Sequence, residues 1–255
     1  GSSVVLGHAV ELRGGDAFGG SHAQIGFAPG PGVSPTGGVE VRAKGGGVGL
    51  RAGGAANAYA QIGHRALGSL VPEASGPVAV DSGGGLALHG GAGVQSSAQI
   101  GHGGVNAAPS GLSGDVAVKA AGDLELSGGS GGAAYVQIGH GGFSTDGEQS
   151  GRVAVEAGGS IALSAPHLLD GGAYAKIGHG DDLVGGLSPA GGRGGRGGDI
   201  EVSAGGDLRM GGAMVGHVNA YSPATAAGGT TQIGVGRSAP GDADAGDLVA
   251  DDLSE

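Results

Sequence analysis

The chain predicts an all-β fold, a parallel β-helix in which each winding of a solenoid stacks on the next. Three observations carry that prediction. The motif Gln-Ile-Gly-His, or a close variant, centres on Ile25, Ile62, Ile100, Ile138, Ile177 and Ile233, with successive spacings of 37, 38, 38, 39 and 56 residues. A near-constant period of this length marks a stacked repeat. Each interval holds short beads that alternate apolar with small or polar residues, the pattern of a strand with one buried face. Glycine makes up 66 of 255 residues, and it clusters between the beads as Gly-Gly, Gly-Asp and Ser-Gly pairs that mark turns.

The first bead of each unit is Val-rich: residues 39–41, 78–80, 116–118, 153–155 and 200–202. Val and Ile favour a pleated backbone. The second bead follows eight or nine residues later, at 48–50, 86–88, 124–126, 161–163 and 208–210. The third bead is the Gln-Ile-Gly motif itself. The opening unit fits the same frame with Val4 and Val5, then 10–12, then Ile25. Three strands and three turns per repeat make a triangular coil. Six coils at ~4.8 Å would build a column roughly 29 Å tall, and the bias of such connections makes it right-handed.

Two other readings compete. One divides each 38-residue unit into two coils, which requires six strands where only three are clear. The other takes Met214-Val215-Gly216-His217 as a motif copy, 38 residues after Ile177. An insertion near residues 211–229 is preferred, because it leaves Gln232-Ile233-Gly234 as the third strand for the beads at 200–202 and 208–210. Residues 1–238 then form the repeat domain, and 239–255 an acidic tail, disordered or opening a further unit.

Composition narrows the function. No strict Gly-X-Y period exists, which excludes collagen. Cysteine is absent, so disulfides and Cys zinc sites are excluded; a Cys-free chain also suits export in unfolded form. A net charge of -11 argues against nucleic acid, which wants a basic stripe. No run of 18 apolar residues suggests a membrane helix.

The repeat aligns several side chains. Gln24, Gln61, Gln99, Gln137 and Gln232 share one position, with Lys176 as the exception; Gly26, Gly63, Gly101, Gly139, Gly178 and Gly234 share another. Stacked amides can hydrogen-bond up a column, and the fixed glycine implies positive φ or close backbone approach at a corner. His64, His102, His140 and His179 share a third position, which Phe27 and Val235 occupy in the outer units. Imidazoles in such a column could bind metal or sense pH. The favoured reading is a structural ladder, each ring donating to a turn carbonyl, because apolar residues replace it at both ends. His8, His22, His89, His167 and His217 read as scattered surface residues. Tyr59, Tyr135 and Tyr174 stand three residues before Ile and read as a cover over the coil edge. Residues 191–198 (Gly-Gly-Arg-Gly-Gly-Arg-Gly-Gly) read as a solvated loop. Acidic residues are scattered through turns, as at Asp81, Asp123, Glu156 and Asp207, and Asp181-Asp182 is the only acidic pair beside a motif histidine. No catalytic constellation, calcium-repeat array or cofactor site is expected.

The run at 114–129 (Gly-Asp-Val-Ala-Val-Lys-Ala-Ala-Gly-Asp-Leu-Glu-Leu-Ser-Gly-Gly) and that at 134–142 (Ala-Tyr-Val-Gln-Ile-Gly-His-Gly-Gly) resemble repeats of filamentous haemagglutinin-like adhesins, the Gram-negative exoproteins of two-partner secretion. The resemblance covers residues 1 to about 238. It implies a right-handed parallel β-helix, secreted or at the cell surface, forming part of a shaft whose neighbours are further repeats of a longer parent. Host or surface glycans and self-association are the expected partners. A carbohydrate-active or lectin module and a self-assembling fibre are the alternative functions.

Overall fold

Alternation of period two turns each bead into a strand with its larger apolar residues facing inward. The computed structural model describes residues 1–28, 32–66, 73–107, 109–166, 173–180, 195–217, 231–235 and 248–251. These residues form parallel strands stacked in successive coils, with no helix among them. The first sheet stacks Ser3–Gly7, Val39–Ala43, Val78–Ser82, Val116–Ala120, Val153–Ala157, Ile200–Ala204 and Thr231–Val235. The second stacks Val10–Arg13, Val48–Arg51, Leu86–His89, Leu124–Ser127, Ile161–Ser164, Leu208–Gly211 and Leu248–Asp251. The third stacks His22–Ile25, Tyr59–Ile62, Ser97–Ile100, Val136–Ile138, Ala175–Ile177 and Ala213–Val215.

Register follows the repeat. Val118 pairs with Val80 and Val155, Leu126 with Leu88 and Leu163, and Ile100 with Ile62 and Ile138. The inward columns meet in one aliphatic core whose members are almost wholly inaccessible to solvent. A narrow interior filled by like residues at each level needs medium-sized aliphatics rather than rings, which is why aromatic residues are scarce.

The coil departs from the expected triangle in two places. A short fourth sheet of Glu73–Ser75, Gly111–Ser113, Glu148–Ser150 and Arg196–Gly197 lies between the third sheet and the next winding. It has its own small core of Ala66, Ala74, Ala107 and Leu112. The closing coil also differs from the insertion reading. Ala213–Val215 continues the third sheet, with Lys176 paired to Met214 and Ile177 to Val215. Gln232, Ile233 and Gly234 lie instead in the first sheet, beside Glu201, Val202 and Ser203. They belong to a seventh winding, not to the Gln-Ile-Gly column. The rejected copy at 214–217 is the true one: Val215 pairs with Ile177, and Gly216 and His217 continue the glycine and histidine columns. Leu248–Asp251, within the segment read as a tail, pairs with Leu208–Gly211.

Candidate functional site: buried ladders beside the third sheet

The four central strands of the third sheet are buried on both faces. Tyr59–Ile62 and Ser97–Ile100 show no exposed residue, and neither do Val136–Ile138 and Ala175–Ile177. The inner face holds Ile25, Ile62, Ile100, Ile138, Ile177 and Val215. The outer face carries Gln24, Gln61, Gln99, Gln137 and Lys176, and the chain leaving the corner covers it through bridges linking Arg65, Gly103, Gly141 and Gly180.

The corner is set by glycine. Gly26, Gly63, Gly101, Gly139 and Gly178 all have φ between +136° and +142°, a region that L side chains avoid. A Cβ on Gly101 would stand 2.1 Å from the carbonyl oxygen of Gly139, and the same clash recurs along the column. Gly216, with φ +156°, holds the position in the closing coil.

The glutamines do not pair amide to amide. Gln99 Nε2 donates to Gly139 O and Gly141 O at 3.1 Å each in the next coil, and Gln61 and Gln137 repeat the pattern. The Oε1 atoms of Gln99 and Gln137 accept from tyrosines one coil on: Tyr135 Oη to Gln99 at 3.3 Å and Tyr174 Oη to Gln137 at 3.3 Å. The tyrosines are therefore buried members of the network, not an outer cover. Gln61 Oε1 has no partner, and the register explains it: Tyr59 pairs with Ser97, whose side chain is too short to replace a phenol. The Arg65 guanidinium lies 3.6 Å over the Tyr59 ring and is 5% exposed. Lys176, in the glutamine column, donates its Nζ to Gly180 O and sits 5.0 Å from the Tyr174 ring.

The imidazoles form a column of five, not four. His64, His102, His140, His179 and His217 stack with centroid separations of 4.6, 4.7, 4.8 and 4.8 Å and interplanar angles of 10° or less. His217 was read as a scattered residue, and Val235 as the end of this column. Val235 instead pairs with Ala204 in the first sheet. Phe27 does cap the other end, tilted against His64 at 5.5 Å. Each Nδ1 accepts a backbone N–H from the preceding coil, as from His102 N to His140 Nδ1 at 3.0 Å. Each Nε2 meets a glycine carbonyl, of Gly37, Gly76, Gly114, Gly151 or Gly198, at 2.7–2.9 Å. This fixes the neutral Nε2–H tautomer along the column, since a carbonyl only accepts and a backbone N–H only donates. Both ring nitrogens are thus engaged with the backbone.

Burial drives the titration of this column. It pushes His140 and His179 down to about 3, and in each case a neighbouring imidazole lowers the pKa further. His102 is held well below the ordinary histidine range by burial and then by His140, while burial lowers His64 and His217 less completely.

The other sites distribute as follows. His22 is not isolated: it stacks on Tyr59 at 4.6 Å. His8 is exposed, and His89 is half-buried on the second sheet. Arg196, read as part of a solvated loop, is 1% exposed and donates to Gly147 O at 2.7 Å. His167, Asp181-Asp182 and residues 191–194 lie outside the described residues. Among the described residues no three His, Asp or Glu side chains gather as a metal would require. Sequence reasoning missed the buried Arg65 and Arg196 because neither arginine recurs at its position in the other repeats, so no periodic signal marks it. It could have found His217 from its 38-residue step after His179.

Fold and ladders together define a β-solenoid repeat protein whose polar columns are built into the stack. Comparison with known proteins gave no matching family model, no matching curated protein and no matching solved structure.

Proposed function

We propose that this chain is a structural shaft segment of a secreted or cell-surface adhesin-like protein, supporting adhesion or extracellular assembly by holding other parts of the molecule apart. The observation that carries this reading is the use made of the chemistry-bearing side chains. In the central coils the glutamine and histidine columns are buried, and the glutamine Nε2 atoms and both imidazole nitrogens are spent on the backbone of adjoining coils. Such side chains stiffen a rod and leave little to offer a substrate.

Topology supports export as well. Each strand pairs only with its equivalent in the coil before and the coil after. A solenoid of this kind can fold winding by winding as it emerges from a translocation pore. The absence of cysteine is consistent with passage in an unfolded form. The test is surface proteolysis of intact cells making the full parent protein, with an antibody against residues 73–166. Cleavage or release of the epitope from intact cells is the expected result. An epitope protected until lysis overturns the reading.

A further inference from the structure

The outward face of the first sheet carries a charge pattern that its neighbours lack. Strand register places Arg42, Asp81, Lys119 and Glu156 in one column, one per coil, with alternating sign. Beside it runs a column of Glu40, Ala79, Ala117, Ala154 and Glu201. Three consecutive alanines therefore floor a shallow trough walled by charge, with a volume of about 700 Å³. Lys119 and Glu156 pair at 3.1 Å within the chain, and Arg42 pairs with Glu40. Asp81 is exposed and has no ion-pair partner among the described residues.

A column ordered plus, minus, plus, minus is complementary to its own reverse. Consider a two-fold axis parallel to the strands, lying in the interface between the Asp81 and Lys119 coils. It reverses the solenoid axis, keeps strand direction and sets the sheet against its own copy. Arg42 then faces Glu156 of the second copy, and Asp81 faces Lys119, each pair occurring twice. Ala79 faces Ala117, so small methyls rather than long side chains decide how closely the sheets approach. Every protomer uses the same patch, as a closed two-fold interface demands.

No other described face offers this. One outward column of the second sheet runs Arg13, Arg51, His89, Ser127, with cations grouped at one end, and the other runs Glu11, Gly49, Ala87, Glu125, where both charges have the same sign. The outer face of the third sheet is buried in its central strands. We propose that the first-sheet face is a lateral docking surface for a second, antiparallel copy of this chain. Five-residue strands span ~16 Å, and five coils span ~24 Å. The contact covers roughly 400 Å² on each copy, which places it with weak, reversible interfaces rather than obligate ones. Opposed charges here set orientation and partner choice more than tight affinity. The proposal does not depend on where the chain acts.

Sedimentation equilibrium from about 10 µM to 1 mM tests it, at low salt and in ~1 M NaCl, where screening reaches within ~3 Å. Wild-type protein should follow a monomer–dimer equilibrium that weakens at high salt. Lys119→Asp places like charges at both central contacts and should weaken dimerisation at least tenfold. Asp81→Lys does the same with cations. The double variant Asp81→Lys/Lys119→Asp restores opposite signs and should recover the dimer. Far-UV circular dichroism verifies the solenoid in each, and these positions are solvent-facing. Monomer throughout, a dimer indifferent to the single swaps, or a double variant that stays dissociated overturns the proposal. So does growth beyond the dimer that ignores these charges, which would indicate joining through strand edges at the coil ends.

Discussion

Lowering the pH from 7 to 5 should destabilise the central coils, and the histidine column sets the size of the effect. His140 and His179 are held neutral with pKa values of about 3, against 6.5 in an unfolded chain. The folded form thus binds these protons more weakly than the unfolded one. Their contribution is complete above pH ~6.5, declines as pH falls toward 3, and levels off below that. A downward shift of this size corresponds to about 5 kcal/mol per histidine at the acid limit. At pH 5, where the unfolded imidazole is largely protonated and the folded one is not, the loss is about 2 kcal/mol each. His102, His64 and His217 shift in the same direction and add to it. Geometry gives the same sign: a proton on Nδ1 would point at the backbone N–H that this atom now accepts. Urea unfolding followed by circular dichroism at pH 7.5, 6 and 5 measures the loss. Equal midpoints at pH 7.5 and pH 5 would refute the argument.

Three further perturbations, with a fourth as a surface control, separate the ladders. Gly101→Val sets a β-branched residue at φ +140° with its Cβ 2.1 Å from Gly139 O; strain and overlap together should cost at least ~3 kcal/mol, read as a fall in melting temperature, and wild-type stability would disprove the corner. Tyr135→Phe removes the hydroxyl that donates to Gln99 Oε1; leaving that buried acceptor unsatisfied should cost about 1–3 kcal/mol in denaturant titration. Ile138→Ala empties a fully buried rung of the core and should cost about 2–5 kcal/mol in the same assay, whereas Ala117→Ser on the open first-sheet face should change stability by less than ~0.5 kcal/mol.

The main sheets were legible because their inward residues repeat in kind. Val78, Val116 and Val153 fall under one another, so an approximate period suffices to set their register. The fourth sheet had no such signal. Its strands are two or three residues long, and their inward positions hold Ala74, Leu112, Gln149 and Arg196, which share neither size nor polarity. The closing coil misled for a different reason. Gln232-Ile233-Gly234 copies the motif in composition, but a strand of alternating pattern fits any sheet of the coil, and composition does not say which. Met214 hid the true copy because it replaces glutamine at the amide position. The histidine, glutamine and glycine columns were visible as alignments, but their partners were not. Hydrogen bonding runs from side chain to the backbone of the next coil, and backbone position leaves no trace in residue type.

The contact of each winding with only its two neighbours gives the molecule a modular length. Excising residues 101–138 would join Ile100 to Gly139, carry the chain from one winding to its equivalent position, and bring His64 over His140. Every column would then be one member shorter and none would be broken. The protein can therefore be shortened or extended in whole steps of about 5 Å along its axis, much as a ruler is cut between marks, with its cross-section conserved.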